Sequence, residues 1–330
     1  MNKISKPIIK LLLIIAVFNL VACNQEKAEI STGESNIEIS QNQAENQEEK
    51  LNITVTIPPQ KYFVEKIGGE LVNVNVMIGP GLEPHTYEPL PQQLSQLADS
   101  NAYIAIGVPF EEVWLNKITT ANPQITMINA GEGIEKIPLL GHNHDHDHQE
   151  DDHENEVNKD DHKSENESPD PHIWLSPKLA KIQAENIYQG LVKINAENEQ
   201  IYKENLNKFL AEIDTIDQQI KEKLTPINNR KFIIYHPAWG YFAKEYNLEQ
   251  IPLEFEGQEV TSAEFTNLIK KAKAENIKVV FAQPQFNSKT VEIFAKEIGA
   301  EIILLDDLAQ NWSENMLSTA DKLANAMNNE

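Results

Sequence analysis

Short apolar strands alternate with amphipathic helices in two series, and the series flank a stretch from Leu191 to Leu224 that contains neither Gly nor Pro. In the first series LNITVTIPP, from Leu51, alternates like a strand, and KYFVEKIGG follows at helical spacing. VNVNVMIG and NAYIAIG read as buried strands, with a helix over PQQLSQLADS between them, and ITMINA is a fourth strand. The second series starts after Arg230 with the strand KFIIYHP, the helix AWGYFAKEYN and the strand LEQIPLEFE. TSAEFTNLIKKAKAEN is a helix capped by Thr261 or Ser262, and KVVFAQP, the helix SKTVEIFAKEIG and EIILLDD complete the set. Four strands per half, alternating with helices, predict an α/β fold: two lobes with mostly parallel four-stranded sheets. The Gly- and Pro-free stretch has the apolar spacing of a long helix joining the lobes, preceded by a shorter helix ending near Gly190. The expected boundaries are a lobe over 51–190, a linking helix over 191–225 and a second lobe over 226–330. A long helix between lobes restricts a wide hinge, and ligands of paired α/β lobes bind in the crevice at the strands' carboxyl ends.

Charge and cysteine usage narrow the function. A net charge of −23 on 330 residues repels phosphate backbones, so nucleic acid is excluded as a partner. The one cysteine, Cys23, rules out disulfides within the chain and any thiolate metal cluster. Residues 1–22 carry Lys3, Lys6 and Lys10 ahead of the apolar run LLLIIAVFNLVA, the pattern of an export signal too short to span a bilayer comfortably. Leu20-Val21-Ala22-Cys23 resembles a bacterial lipobox, in which the cysteine thiol takes a lipid and becomes the mature N-terminus. Residues 23–50 are polar and read as a flexible tether between that lipid and the folded body. The expected location is therefore the cell envelope, outside the cytoplasm and anchored to a membrane through Cys23.

Nine histidines fall into two groups. His142, His144, His146, His148, His153 and His162 lie in a segment over 142–168 that has no aromatic residue and a single Val, so it reads as a solvated His/Asp-rich loop. Imidazoles alternating with carboxylates on such a chain can capture Zn²⁺, Ni²⁺ or Cu²⁺ in interchangeable ways, with modest affinity. The other three, His85 in GPGLEPHTYEPLP, His172 in DPHIWLSP and His236 at the end of KFIIYHP, each sit at a strand end or turn, where binding residues collect on rigid supports. Three imidazoles and one carboxylate make a tetrahedral zinc site. The carboxylate is expected just past the last strand, where EIILLDDLAQNW offers Asp306 and Asp307.

GPGLEPHTYEPLP, DPHIWLSP, YHPAWGYFAKEYNLEQIP, FAQPQF and LLDDLAQNW fall in one order along residues 51–330, and together they resemble the metal-specific solute-binding lipoproteins of zinc and manganese ABC importers. The resemblance implies two α/β lobes joined by a rigid helix, with the metal between them. It carries the ligand roles onto His85, His172, His236 and Asp306, with Asp307 as the alternate because the family's Asp-Pro-Leu stands here as Asp306-Asp307-Leu308. Manganese-type members resemble this pattern with a carboxylate at the third position; His236 there favours zinc over the harder Mn²⁺. Glu83 is a further candidate, acting through a water, and Trp174, Trp239 and Tyr241 are expected to wall the cleft and keep it dry.

The expected function is an extracytoplasmic, monomeric binding protein that holds one Zn²⁺ tightly, collects further ions weakly on its His-rich loop and delivers zinc to a membrane permease driven by a cytoplasmic ATPase. Related alternatives are a binding protein for manganese or another divalent metal, or a zinc buffer or adhesin on the same fold. From another class, a secreted zinc hydrolase needs an open coordination position and a general base. The sequence has no H-E-x-x-H, and four protein ligands would fill the tetrahedron, so no enzyme activity is expected.

Overall fold

The computed structural model describes residues 50–84, 86–139, 168–255, 257–286 and 289–328. The signal segment, Cys23, all but the last residue of the tether, His85 and the six loop histidines lie outside the described residues. The first series gives β1 (Leu51–Val55), α1 (Pro58–Gly68), β2 (Val72–Val76), α2 (Pro91–Ala98), β3 (Ala102–Ala105), α3 (Pro109–Ala121) and β4 (Thr126–Asn129). Helices α4 (Pro177–Ile194) and α5 (Glu199–Leu224) follow. The second series gives β5 (Lys231–Ile234), α6 (Gly240–Glu245), β6 (Glu249–Pro252), the short pair β7 (Glu254–Phe255) and β8 (Gln258–Glu259), α7 (Ser262–Ala274), β9 (Val279–Ala282), α8 (Lys289–Ile298), β10 (Glu301–Leu304) and α9 (Trp312–Asn328). Two four-stranded sheets result, ordered β2-β1-β3-β4 and β10-β9-β5-β6, with every strand parallel to its neighbours. The α/β expectation of two parallel sheets and a long connecting helix is what the chain forms. Among the described residues no helix is long and apolar enough to cross a membrane.

Local chemistry accounts for the element ends. Gln60, fully buried, accepts the backbone N–H groups of Thr56 and Ile57 at 2.9 and 3.1 Å and donates to the Ile104 carbonyl, so one amide joins the start of α1 to β3. Thr261, not Ser262, caps α7: its hydroxyl accepts the Glu264 N–H, and the Glu264 carboxylate accepts the Thr261 N–H at 2.8 Å, a reciprocal capping box. Glu111 at the start of α3 collects the N–H groups of Ile106 and Gly107 and the Thr56 hydroxyl, and burial still pushes its carboxyl pKa up.

The helix expected to end near Gly190 instead runs through it to Ile194, and the linking helix begins at Glu199 after a single 3-10 turn over Ala196–Asn198. The boundary expected at 190/191 therefore falls inside α4. Gly190 is there for packing: a Cβ at that position would lie 2.5–2.8 Å from three side-chain carbons of Ile128 on β4. Gly190→Ala gains about 1 kcal/mol of helix propensity but forces a β-branched residue out of a parallel strand, an overpacking cost of about 1–3 kcal/mol. The net expectation is destabilisation of about 1 kcal/mol, read as a lower denaturant midpoint at unchanged slope.

Helices α3 and α9 were not among the expected elements. In α9 the buried Trp312, Met316, Ala320, Leu323 and Met327 recur at helical spacing, so that signal was present in the sequence. The helix returns from the end of the chain to pack on α5 and α1. Trp312 meets Phe63 of α1 at 5.2 Å and Phe209 of α5 at 6.4 Å. Above this contact the Tyr62 hydroxyl bonds Glu212 and Ser313, and Lys66 pairs with Glu212 at 2.5 Å. One contiguous core thus contains Ile53 and Tyr103 of the first sheet together with Phe232 and Phe281 of the second. A smaller core around Val280 and Phe294 lies on the other face of the second sheet. The flanks of segment 140–167 are themselves joined: Leu139 N–H donates to the Ser168 carbonyl and Asp170 N–H to the Ile137 carbonyl.

Candidate metal centre

His236 lies just past the carboxyl end of β5, and its backbone is held on both sides by the buried Gln283, which donates to its carbonyl at 2.6 Å and accepts its N–H at 3.2 Å. His172 stands at the start of a single 3-10 turn, Ile173–Leu175, where the chain returns from the loop flank. Both imidazoles are 3% exposed. Behind each ring is a buried carboxylate: Asp170 Oδ1 lies 2.7 Å from His172 Nδ1 and also accepts the His172 backbone N–H, and Glu254 Oε2 lies 2.8 Å from His236 Nδ1. Each carboxylate stands where it accepts a hydrogen bond from an Nδ1–H, the tautomer that turns the Nε2 lone pair toward the other ring. The two Nε2 atoms face each other 3.2 Å apart.

This distance fits a shared ion. Two nitrogens each 2.0–2.1 Å from one tetrahedral ion stand about 3.3–3.4 Å apart, so the observed spacing already suits a shared zinc. In that tautomer both Nε2 atoms can give their lone pairs to one cation. The cavity they share is about 10 Å³, room for one water-sized body and far too small for an organic substrate.

Of the adjacent acids, Asp307 lines this cavity and Asp306 does not. The Asp306 carboxylate shapes the turn after β10, accepting the Leu308 N–H at 3.0 Å and the Gln285 amide at 2.8 Å. Asp307, the alternate of the two acids, is therefore the one that faces this cavity. Glu83 and Pro84, the residues before His85, also line the cavity, and the Glu83 carboxylate accepts the Thr86 N–H and hydroxyl at 2.9 and 2.8 Å. Trp174 is a wall as expected, its ring 5.2 Å from that of His172. Trp239 and Tyr241 are not. Trp239 packs edge-on against Phe242, and the Tyr241 hydroxyl donates to the Asp170 carbonyl while accepting the Ile137 N–H. Burial and the Asp170 charge push that phenol up to about 12, so it remains a neutral donor.

Sequence reasoning missed Asp170, Glu254 and Phe286. Asp170 was visible two residues before His172. Glu254 is brought to His236 only by the parallel pairing of β5 with β6, whose continuation has Glu254 N–H donating to the Tyr235 carbonyl. Phe286 covers the His236 ring at 5.1 Å.

Comparison with known proteins agrees with this geometry. The chain matches the family described as zinc-uptake complex component A, periplasmic (ZnuA), over residues 53–326. It is 29% identical over 269 residues to the high-affinity zinc uptake system protein ZnuA of Bacillus subtilis, covering 80% of this chain and 81% of that one. It is 26% identical over 278 residues to the zinc-binding protein AdcA of Streptococcus pyogenes, covering 83% of this chain but only 53% of that longer relative. Among solved structures, a crystal structure of ZnuA is 42% identical with a TM-score of 0.74, covering 84% of this chain and 99% of that one. A zinc-bound deletion mutant of ZnuA is 43% identical with a TM-score of 0.75, covering 84% and 98%. The family match takes in both parallel sheets, the helices that join them and the His172–His236 pair, and the chain belongs to the ZnuA family of zinc-uptake components.

Proposed function

We propose that this protein is the extracytoplasmic binding component of a zinc importer, capturing one Zn²⁺ between its lobes and handing it to a membrane permease powered by a cytoplasmic ATPase. The observation that carries the reading is the pair of Nε2 atoms 3.2 Å apart, each on an imidazole whose other nitrogen rests on a buried carboxylate. His172, His236 and Asp307 are the ligands of the described cavity, and His85 completes the tetrahedron. Three imidazoles suit zinc better than the harder Mn²⁺, and four protein ligands leave no position for a catalytic water. Cys23 carries the lipid that holds the chain at the membrane, and the monomer is the working unit. The loop histidines, His142 to His162, collect further ions weakly.

Two measurements test this. Calorimetry on the full chain is expected to give one tight zinc ion and additional weak ones. A version lacking residues 142–166, which spares the Leu139–Ser168 hydrogen bond, should fold and keep only the tight ion. Identical isotherms for the two proteins would make the loop a plain linker, and loss of the tight ion in the shortened protein would move the site out of the cavity. Asp307→Ala and Asp306→Ala, made separately, are expected to differ: the first loses more than about a hundredfold in zinc affinity, beyond what removal of an outer-sphere group costs, and the second stays within that outer-sphere range. Equal losses would deny Asp307 its assigned role.

A further inference from the structure

We infer that Trp174 is a positioning residue for zinc selectivity, because it fixes the distance between two ligands that come from opposite halves of the chain. Its place in the structure is unusual for a wall residue. Trp174 is 1% exposed and lies two positions after His172, with its ring against that imidazole. Its indole N–H crosses to the second half of the chain and donates to the backbone carbonyl of Asp307 at 2.6 Å. Its own carbonyl accepts the indole N–H of Trp312, in the first turn of α9, at 2.7 Å. His172 is thereby fastened to the peptide that carries Asp307.

Besides the Asp306 carboxylate bonds, three bonds to the backbone tie down the turn that carries Asp307. Leu305 N–H extends the ladder to the Ala282 carbonyl at 2.8 Å, Asn315 of α9 donates to the Asp306 carbonyl at 2.6 Å, and Trp174 holds the Asp307 carbonyl. Of these three, the Trp174 bond alone reaches across to the segment bearing another ligand. This matters for selectivity because a carboxylate is the one ligand type here that can change its denticity. Held at a fixed distance from His172, Asp307 offers one oxygen to a four-coordinate ion. Released, it can approach with both oxygens, which raises the coordination number and suits larger, harder ions than zinc.

The inference rests on the ligand assignment proposed above, and its test separates the two. Trp174→Phe keeps an aromatic ring beside His172 and removes the donor; benzothienylalanine at position 174 removes the donor with the bicyclic shape intact and serves if the Phe variant does not fold. Trp312→Phe removes an indole N–H from the same core without touching the Asp307 peptide, and so controls for general loosening. The readouts on the full chain are zinc and manganese affinity in chelator competition, the visible bands of the Co²⁺-loaded protein, which weaken above four-coordination, and metal-free thermal stability. The position-174 variants are expected to lose about 10- to 100-fold in zinc affinity, to lower the zinc/manganese ratio and to weaken the cobalt bands. Trp312→Phe should lose comparable thermal stability while leaving the ratio and the cobalt spectrum as in the parent. Parent-like zinc affinity and cobalt spectra in the position-174 variants, or equal changes in Trp312→Phe, would overturn the inference. A parent chain that takes up no zinc would instead overturn the site itself.

Discussion

His172→Ala and His236→Ala are each expected to reduce zinc affinity by more than about a thousandfold, well past the 10- to 100-fold typical of an outer-sphere group. The consequence is visible in a melting experiment. At a free zinc concentration of a thousand times Kd, binding stabilises the parent by about 4 kcal/mol. At about 2.1 cal/mol/K of unfolding entropy per residue, a folded body of this size gains about 7 °C in Tm from that. In the two variants the zinc-dependent rise should vanish. Each variant also leaves a buried carboxylate without its imidazole, Asp170 in one and Glu254 in the other. Removing such a charge-assisted hydrogen bond costs about 2 kcal/mol of metal-free stability, so the variants are expected to melt below the parent even without zinc. A zinc-dependent rise that survives His172→Ala would show that the ion is bound elsewhere.

The second large effect concerns metal choice at position 236. His236→Glu places a carboxylate where the imidazole met Glu254, and both groups would be buried, since Glu254 is 2% exposed. Two carboxylates in such a contact cannot both ionise at ordinary cost, so the single substitution should bind every divalent metal poorly. His236→Glu combined with Glu254→Gln removes the conflict: the Gln amide donates to the new carboxylate, which turns its other oxygen toward the metal. The double variant is expected to bind manganese more tightly than the single one. Its zinc/manganese affinity ratio should fall at least about tenfold below the parent's, although zinc can remain the tighter ion in absolute terms. The coupling between the two substitutions is the informative quantity. Simple additivity, with the ratio unchanged, would make His236 a structural histidine.

Much of this architecture was legible because periodicity reports burial directly. Strands such as AYIA of β3 are apolar throughout, and a parallel strand covered on both faces has to be. The place of His236 was legible as well, since a histidine just past a strand end is positioned by the sheet. What stayed hidden depended on pairings between distant segments. Glu254 becomes the partner of His236 only through the register of β5 with β6, and Trp174 meets Asp307 across 133 residues of chain. Which of Asp306 and Asp307 lines the cavity depends on a local detail, the Asx-type bond from Leu308 N–H to Asp306. Gly190 misled for a related reason. A glycine in a helical pattern looks like a stop, but here it admits the branched Ile128 of a strand that sequence analysis had not placed against α4.

The last helix has a bearing on how such a chain matures. Trp312 and Met316 fill a core whose other walls are Phe63 of α1 and Phe209 of α5, so the amino-terminal half lacks part of its interior until α9 is available. An exported polypeptide emerges amino end first. The first half of this one therefore stays incompletely packed until α9 is available, and the two halves complete this core together. Ending the chain before Trp312 should for that reason yield protease-sensitive material rather than a smaller, stable lobe.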